Sequence, residues 1–164
     1  MSKEKEKDVK TNAMRILDTL GISYEVRTYE GSEFIDGVHL ADQLGAPRER
    51  TFKTLVAVGK SGGYFVFVIP VAEELDMKAA AKAVGEKAVE LISVRDLQRL
   101  TGYVRGGCTA IGMKKDYPTV IDETCILFDT IMVSGGRIGS QILLSPDDFI
   151  RAANAQCLPI VFEK

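Results

Sequence analysis

The chain has 164 residues, 46% apolar and 27% charged, a composition that fits one globular domain with a sizeable core. Its formal net charge of −2 argues against a protein that holds long nucleic acid by its overall field, and leaves room for a local basic patch. Three cysteines (Cys108, Cys125, Cys157) without C-x-x-C spacing and a single histidine, His39, support neither a disulfide framework nor a zinc site, and no run approaches the length of a membrane span.

Residues 1–10, MSKEKEKDVK, are a charge run expected to be disordered, and they lack the apolar stretch of a secretory signal. A cytoplasmic protein with one domain over residues 11–164 is therefore expected. Ala13, Met14, Ile16, Leu17 and Leu20 recur at helical spacing and stop at Gly21. SYEVRTY alternates as a strand, with Tyr24, Val26 and Thr28 on one face. After the loop EGSEFIDG, Asp36 can cap a helix VHLADQLG that closes at Gly45. RTFKTLVAVG and YFVFVIP, joined by KSGG, read as a β-hairpin.

Asp76 caps a helix ending near Gly85, AVELI is a short strand, and SVRDLQRL opens with a Ser93/Asp96 capping box. TGYVRGGCTAIG then packs glycines densely. Strands follow at TVIDE, TIMVSGG and SQILL, Ser145 caps the helix PDDFIRAANA, and LPIVFE is expected as the closing strand. Hairpins mixed with irregularly placed helices point to a single α+β domain with a mixed, mostly antiparallel sheet, partly closed into a barrel.

Four features carry possible chemistry. Lys53 stands on a strand that otherwise reads as buried, where an unpaired ammonium is costly, so it either snorkels to solvent or meets an anion in a pocket. The glycines of GYVRGG can bring backbone N–H groups close to a ligand, although a plain surface loop has the same sequence. SGGRIGSQ offers Ser134 and Arg137 at a strand end. It does not open a helix, so the dinucleotide-binding reading fails. Tyr29 ends the first strand next to Glu30, where a tyrosine usually packs its ring and keeps its hydroxyl in water. No Ser-His-Asp or Cys-His grouping is evident, and Cys108 reads as a small residue filling tight space.

The order TFKTLV, VIPVAEELDMKAAAKAVG, TGYVRGGCTAIGMKKDYPTVID and MVSGGRIGSQILLSPDD resembles the YbaK/EbsC family of free-standing aminoacyl-tRNA editing proteins. That family is related to the insertion domain of bacterial prolyl-tRNA synthetases, and the likeness runs from about Thr11 to the carboxyl end, closest to the Cys-tRNA(Pro) deacylase branch. The resemblance implies that Lys53 holds the 3′-terminal adenosine or its phosphate and that Tyr29 and Thr54 line the pocket. It implies further that Gly106, with Gly107, presents backbone amides to the ester, and that Ser134 lines the same pocket, with Arg137 beside it.

Where many members carry proline this chain has Ala110, expected to loosen the loop, and where relatives near the cysteine branch carry an acid it has Gln141. The implied partners are the CCA end of aminoacyl-tRNA and prolyl-tRNA synthetase, with no membrane, DNA, metal or cofactor. For cysteine the implied chemistry is attack of the substrate's own thiol on its carbonyl, cyclising off the tRNA, and both hydrolase and lyase are expected as class descriptions. Arg48, Arg50, Lys53, Arg105, Lys114, Lys115 and Arg137 could form the basic patch. A non-catalytic tRNA- or synthetase-binding module and a structural protein sharing the fold are the alternatives.

Overall fold

A computed structural model describes residues 9–30 and 34–162. The charge run 1–10 and the connector EGSEFIDG thus lie partly outside the described residues. Lys10, at the end of the charge run, pairs with Asp18.

The elements in chain order are α1 (Asn12–Thr19), β1 (Glu25–Thr28), α2 (Gly37–Leu44), β2 (Phe52–Gly59), β3 (Tyr64–Pro70), α3 (Met77–Ala83), β4 (Val89–Leu91) and α4 (Val94–Thr101). They continue with β5 (Thr119–Asp122), β6 (Ile131–Arg137), β7 (Ser140–Leu144), α5 (Pro146–Ala153) and β8 (Ala155–Leu158), with short 3-10 turns before β2 and after β5. No helix among the described residues is long and apolar enough to cross a membrane.

Two sheets result: three strands in the order β1-β7-β6 and five in the order β4-β2-β3-β5-β8. Pairing is antiparallel except at β3–β5 and β5–β8. The expected partial barrel is not borne out: neither sheet closes among the described residues, and the residue before β2 meets the other sheet through the parallel bridge Thr51–Met132. The unbroken apolar run of YFVFVIP is explained by β3 lying inside the larger sheet and being buried on both faces. Val66 and Val68 enter a core shared with α1, β6, β7 and Phe149. Phe65, Phe67 and Ile69 enter a second core under α3. β1 is an edge strand whose four residues are all exposed, so its alternation does not correspond to a buried face.

Caps act as the sequence suggests at Asp36, Asp76 and Ser145, each accepting a first-turn backbone N–H. Ser93 sits at the N-cap of α4 without a side-chain bond, and the expected capping box is absent. Asp96 instead leans toward Arg99, 3.4 Å away, which draws its carboxylate along the helix and away from the cap. The last strand also differs from LPIVFE. Asn154 turns left-handed at φ 51°, β8 starts at once, and beyond Pro159 the described residues keep a single bridge, Val161 to Leu75.

Candidate functional site

The placement of Lys53 follows from how β2 is paired. β4 lies beside β2 over Ala57–Gly59, with one further bond from the Ile92 N–H to the Val56 carbonyl. Before Val56 that edge of β2 is free of β4, because Ser93 already begins α4. Backbone groups of alternate residues point to the same edge, so the N–H and C=O of Thr54 face this opening. A cavity of about 400 Å³ occupies it, lined by Lys53, Thr54, Gly106, Ser134 and Gln141 among others. Lys53 is half-buried on its wall, and no carboxylate among the described residues pairs with it. The strand carries an ammonium because the core opens there.

The glycine loop forms another part of the cavity. Gly106 adopts φ +89°, and its N–H has no hydrogen-bond partner among the described residues. Gly107 differs: its N–H donates to the Val104 carbonyl at 2.9 Å, and it lies buried behind the cavity wall against the backbone of Arg137 and Ile138. Of the pair, Gly106 lines the cavity and carries the N–H without a bond among the described residues. Ala110 does not leave the loop untethered, since the Tyr103 hydroxyl donates to the Ile111 carbonyl at 2.6 Å and the Ile111 N–H donates to Thr109 at 3.3 Å.

Ser134 and Gln141 face each other across β6 and β7, just before the bulge formed by Gly135 and Gly136. The Ser134 hydroxyl accepts the Gly136 N–H at 3.1 Å. Tyr29 is not in the cavity wall; its N–H donates to the Gly139 carbonyl at 3.0 Å, extending β1 along the hairpin turn. Arg137 also stays out of the wall and packs its backbone on Gly107.

Of the seven basic residues only Lys53 and Arg105 line the cavity. Arg48 is held by Asp42 at 2.6 and 3.0 Å, Arg50 donates to Thr130, Lys114 lies over Gly102, and Lys115 borders a separate hollow. Sequence reasoning missed Phe34, whose ring lies 3.9 Å below the Arg105 guanidinium on the cavity wall. The available signal was the adjacent apolar pair Phe34 and Ile35 in an otherwise polar connector.

Asp36 lines the cavity as well, but its carboxylate is committed to capping α2 and to His39. The His39 bonds hold that carboxyl below its usual range, while the same contact raises the His39 imidazole. Burial pushes the Cys108 thiol up to about 12. At neutral pH it is a thiol and a poor nucleophile. We therefore expect iodoacetamide at pH 7.5 to label the half-buried Cys157 and spare Cys108, and Cys108→Ser to keep kcat within a few-fold. Prompt alkylation of Cys108, read by peptide mass spectrometry, would overturn its passive role.

The sequence profile of the family described as aminoacyl-tRNA editing domain matches residues 37–152, a span holding Lys53, the glycine loop and the Ser134 bulge. Over 157 residues the chain is 43% identical to an Enterococcus faecalis protein named "Putative Cys-tRNA(Pro)/Cys-tRNA(Cys) deacylase EbsC", with 95% of each chain covered. A deacylase is an ester hydrolase, which sets aside a lyase classification. A solved structure described as "Crystal structure of a putative trans-editing enzyme for prolyl tRNA synthetase" matches with TM-score 0.80 at 22% identity, covering 94% of this chain and 100% of that one. A hypothetical protein matches with TM-score 0.83 at 20% identity, over 93% of this chain and 100% of its own. These two likenesses speak for the fold alone.

Proposed function

The chain belongs to the aminoacyl-tRNA editing domain family, and from that premise we propose that it is a cytoplasmic deacylase that hydrolyses mischarged Cys-tRNA(Pro). The observation that carries this reading is the pairing, within one cavity, of an ammonium lacking a carboxylate partner among the described residues with a backbone N–H that has no other acceptor there. Lys53 takes the phosphate or ribose of the terminal nucleotide, whose charge offsets the cost of half-burying the ammonium. That contact sets the ester against the glycine loop.

The Gly106 N–H then donates to the oxygen of the carbonyl as negative charge develops on it. A single such donor is worth about 3–4 kcal/mol. Thr54 offers its backbone N–H and C=O to the aminoacyl group, the carbonyl being an acceptor for its α-ammonium. Ser134 and Gln141 line the same space and bound the side chain that fits.

With cysteine as the aminoacyl group, the substrate thiol attacks its own carbonyl. A C–S bond forms, the C–O bond to the ribose breaks, and the thiol proton ends on the ribose oxygen. The products are free tRNA and a cyclic thioester that water opens to cysteine, so the net change is hydrolysis. Holding thiol and carbonyl in attack geometry supplies roughly 7–11 kcal/mol in favourable cases, which removes the need for a strong protein base. The test is turnover of Cys-tRNA(Pro), Ala-tRNA(Pro) and Pro-tRNA(Pro) by the wild-type protein. Selective release of cysteine is expected; tRNA binding without cleavage of any of the three would replace the enzyme reading by that of a binding module.

A further inference from the structure

Phe34 and Arg105 line the same cavity and have no part in the chemistry described above. Phe34 remains 43% exposed even with a guanidinium stacked on it, and Arg105, itself exposed, makes no ion pair among the described residues. Leaving part of a phenyl ring in water forgoes hydrophobic stabilisation that a flat partner would recover. The ring is also close to the proposed oxyanion donor: its Cδ2 lies 3.3 Å from where a β-carbon on Gly106 would stand.

Whatever covers the ring must therefore sit beside the ester. The ester is carried on a ribose, and the largest flat group attached to that ribose is its base. We propose that Phe34 and Arg105 form a stacking platform for the 3′-terminal adenine, and that they act as positioning residues which fix the ribose and so aim the ester at Gly106. This rests on the editing reading. A ring face and a guanidinium plane both stack on nucleobases, and the arginine adds a cation beside the phosphodiester. Division of labour follows: Lys53 holds charge, and the platform holds orientation.

The competing role is a packing clamp that ties the connector before α2 to the glycine loop. The chain contains no tryptophan, so Phe34→Trp installs a single indole whose emission reports directly on stacking. The probes are the trinucleotide CCA and the same oligonucleotide with an abasic 3′ residue. We expect saturable quenching by CCA and at least about tenfold weaker binding of the abasic form, in line with the usual worth of one stacked base. In parallel, Phe34→Leu should raise KM for Cys-tRNA(Pro) about tenfold and lower kcat as well, because the ester is then aimed less well, and Phe34→Tyr should restore both.

Equal quenching by the two oligonucleotides overturns the platform, as does an unchanged KM in Phe34→Leu or a fall confined to kcat. Quenching by CCA from a protein that cleaves no aminoacyl-tRNA keeps the platform and removes the editing reading. Selective cleavage of Cys-tRNA(Pro) with no dependence on the base does the reverse.

Discussion

Lys53→Ala is expected to lower kcat/KM for Cys-tRNA(Pro) by about 100-fold or more while leaving the melting temperature unchanged or slightly raised. The two halves have different origins. A charge-assisted hydrogen bond to a phosphate oxygen is worth about 1.5–3 kcal/mol, which alone removes roughly tenfold to 150-fold. Losing the anchor also lets the ester drift, and a misplacement of about 1 Å can cost a further 100-fold.

On the stability side the ammonium has no carboxylate partner among the described residues and stands half-buried. Removing it breaks no ion pair among the described residues and relieves some desolvation, at the expense of packing from its methylene stem. Lys53→Met keeps the stem and separates the terms: activity should remain lost and stability should rise. The readouts are single-turnover deacylation and thermal unfolding by circular dichroism. Full activity in Lys53→Ala would detach the lysine from catalysis, and a fall of many degrees in both variants would reveal a structural partner.

How much of this was legible in the sequence depends on the range of the interactions. Helices written in local caps, such as Asp36 to Gly45, fold where the side chains place them. The hairpin of β2 and β3 follows from its glycine turn and apolar flanks. Sites that depend on competition between partners were not readable: Asp96 could serve Ser93 or Arg99 equally well by spacing, and only the folded helix shows the choice.

Sheet closure is likewise non-local. Alternation in β1 matched a half-buried strand, yet its neighbours leave both faces in water. For the cavity, Lys53, Thr54, Gly106 and Ser134 were singled out one by one, and the early end of β4 brings them together. Tyr29 and Arg137, equally good by residue type, fall outside the wall because their backbones serve the β1 pairing and the loop behind Gly107.

The adjacent glycines give the sharpest separation of activity from stability. At Gly106 a methyl group would meet Ile138 Cγ1 and Phe34 Cδ2, both at 3.3 Å. These are side-chain atoms that can yield, but the left-handed φ of +89° is strained for alanine by about 1–2 kcal/mol. Gly106→Ala should therefore lower the melting temperature by only a few degrees. Relaxing that φ rotates the Gly106 N–H away from the ester, and loss of an oxyanion donor costs about 100- to 1,000-fold in kcat.

At Gly107 the added carbon would stand 2.7 Å from Arg137 Cα and 2.8 Å from both the Arg137 carbonyl carbon and the Ile138 nitrogen. Backbone cannot swing aside as a side chain does, so the loop or the β6–β7 hairpin must move. Overpacking of this kind costs about 1–3 kcal/mol or more, and roughly 2–4 °C in melting temperature accompanies each kcal/mol in a domain of this size. Gly107→Ala should thus lose activity together with stability, whereas Gly106→Ala should lose activity with most of its stability kept. If Gly106→Ala retains kcat within twofold, its amide has no part in the reaction and the donor must be sought elsewhere on the cavity wall, first at the N–H of Thr54.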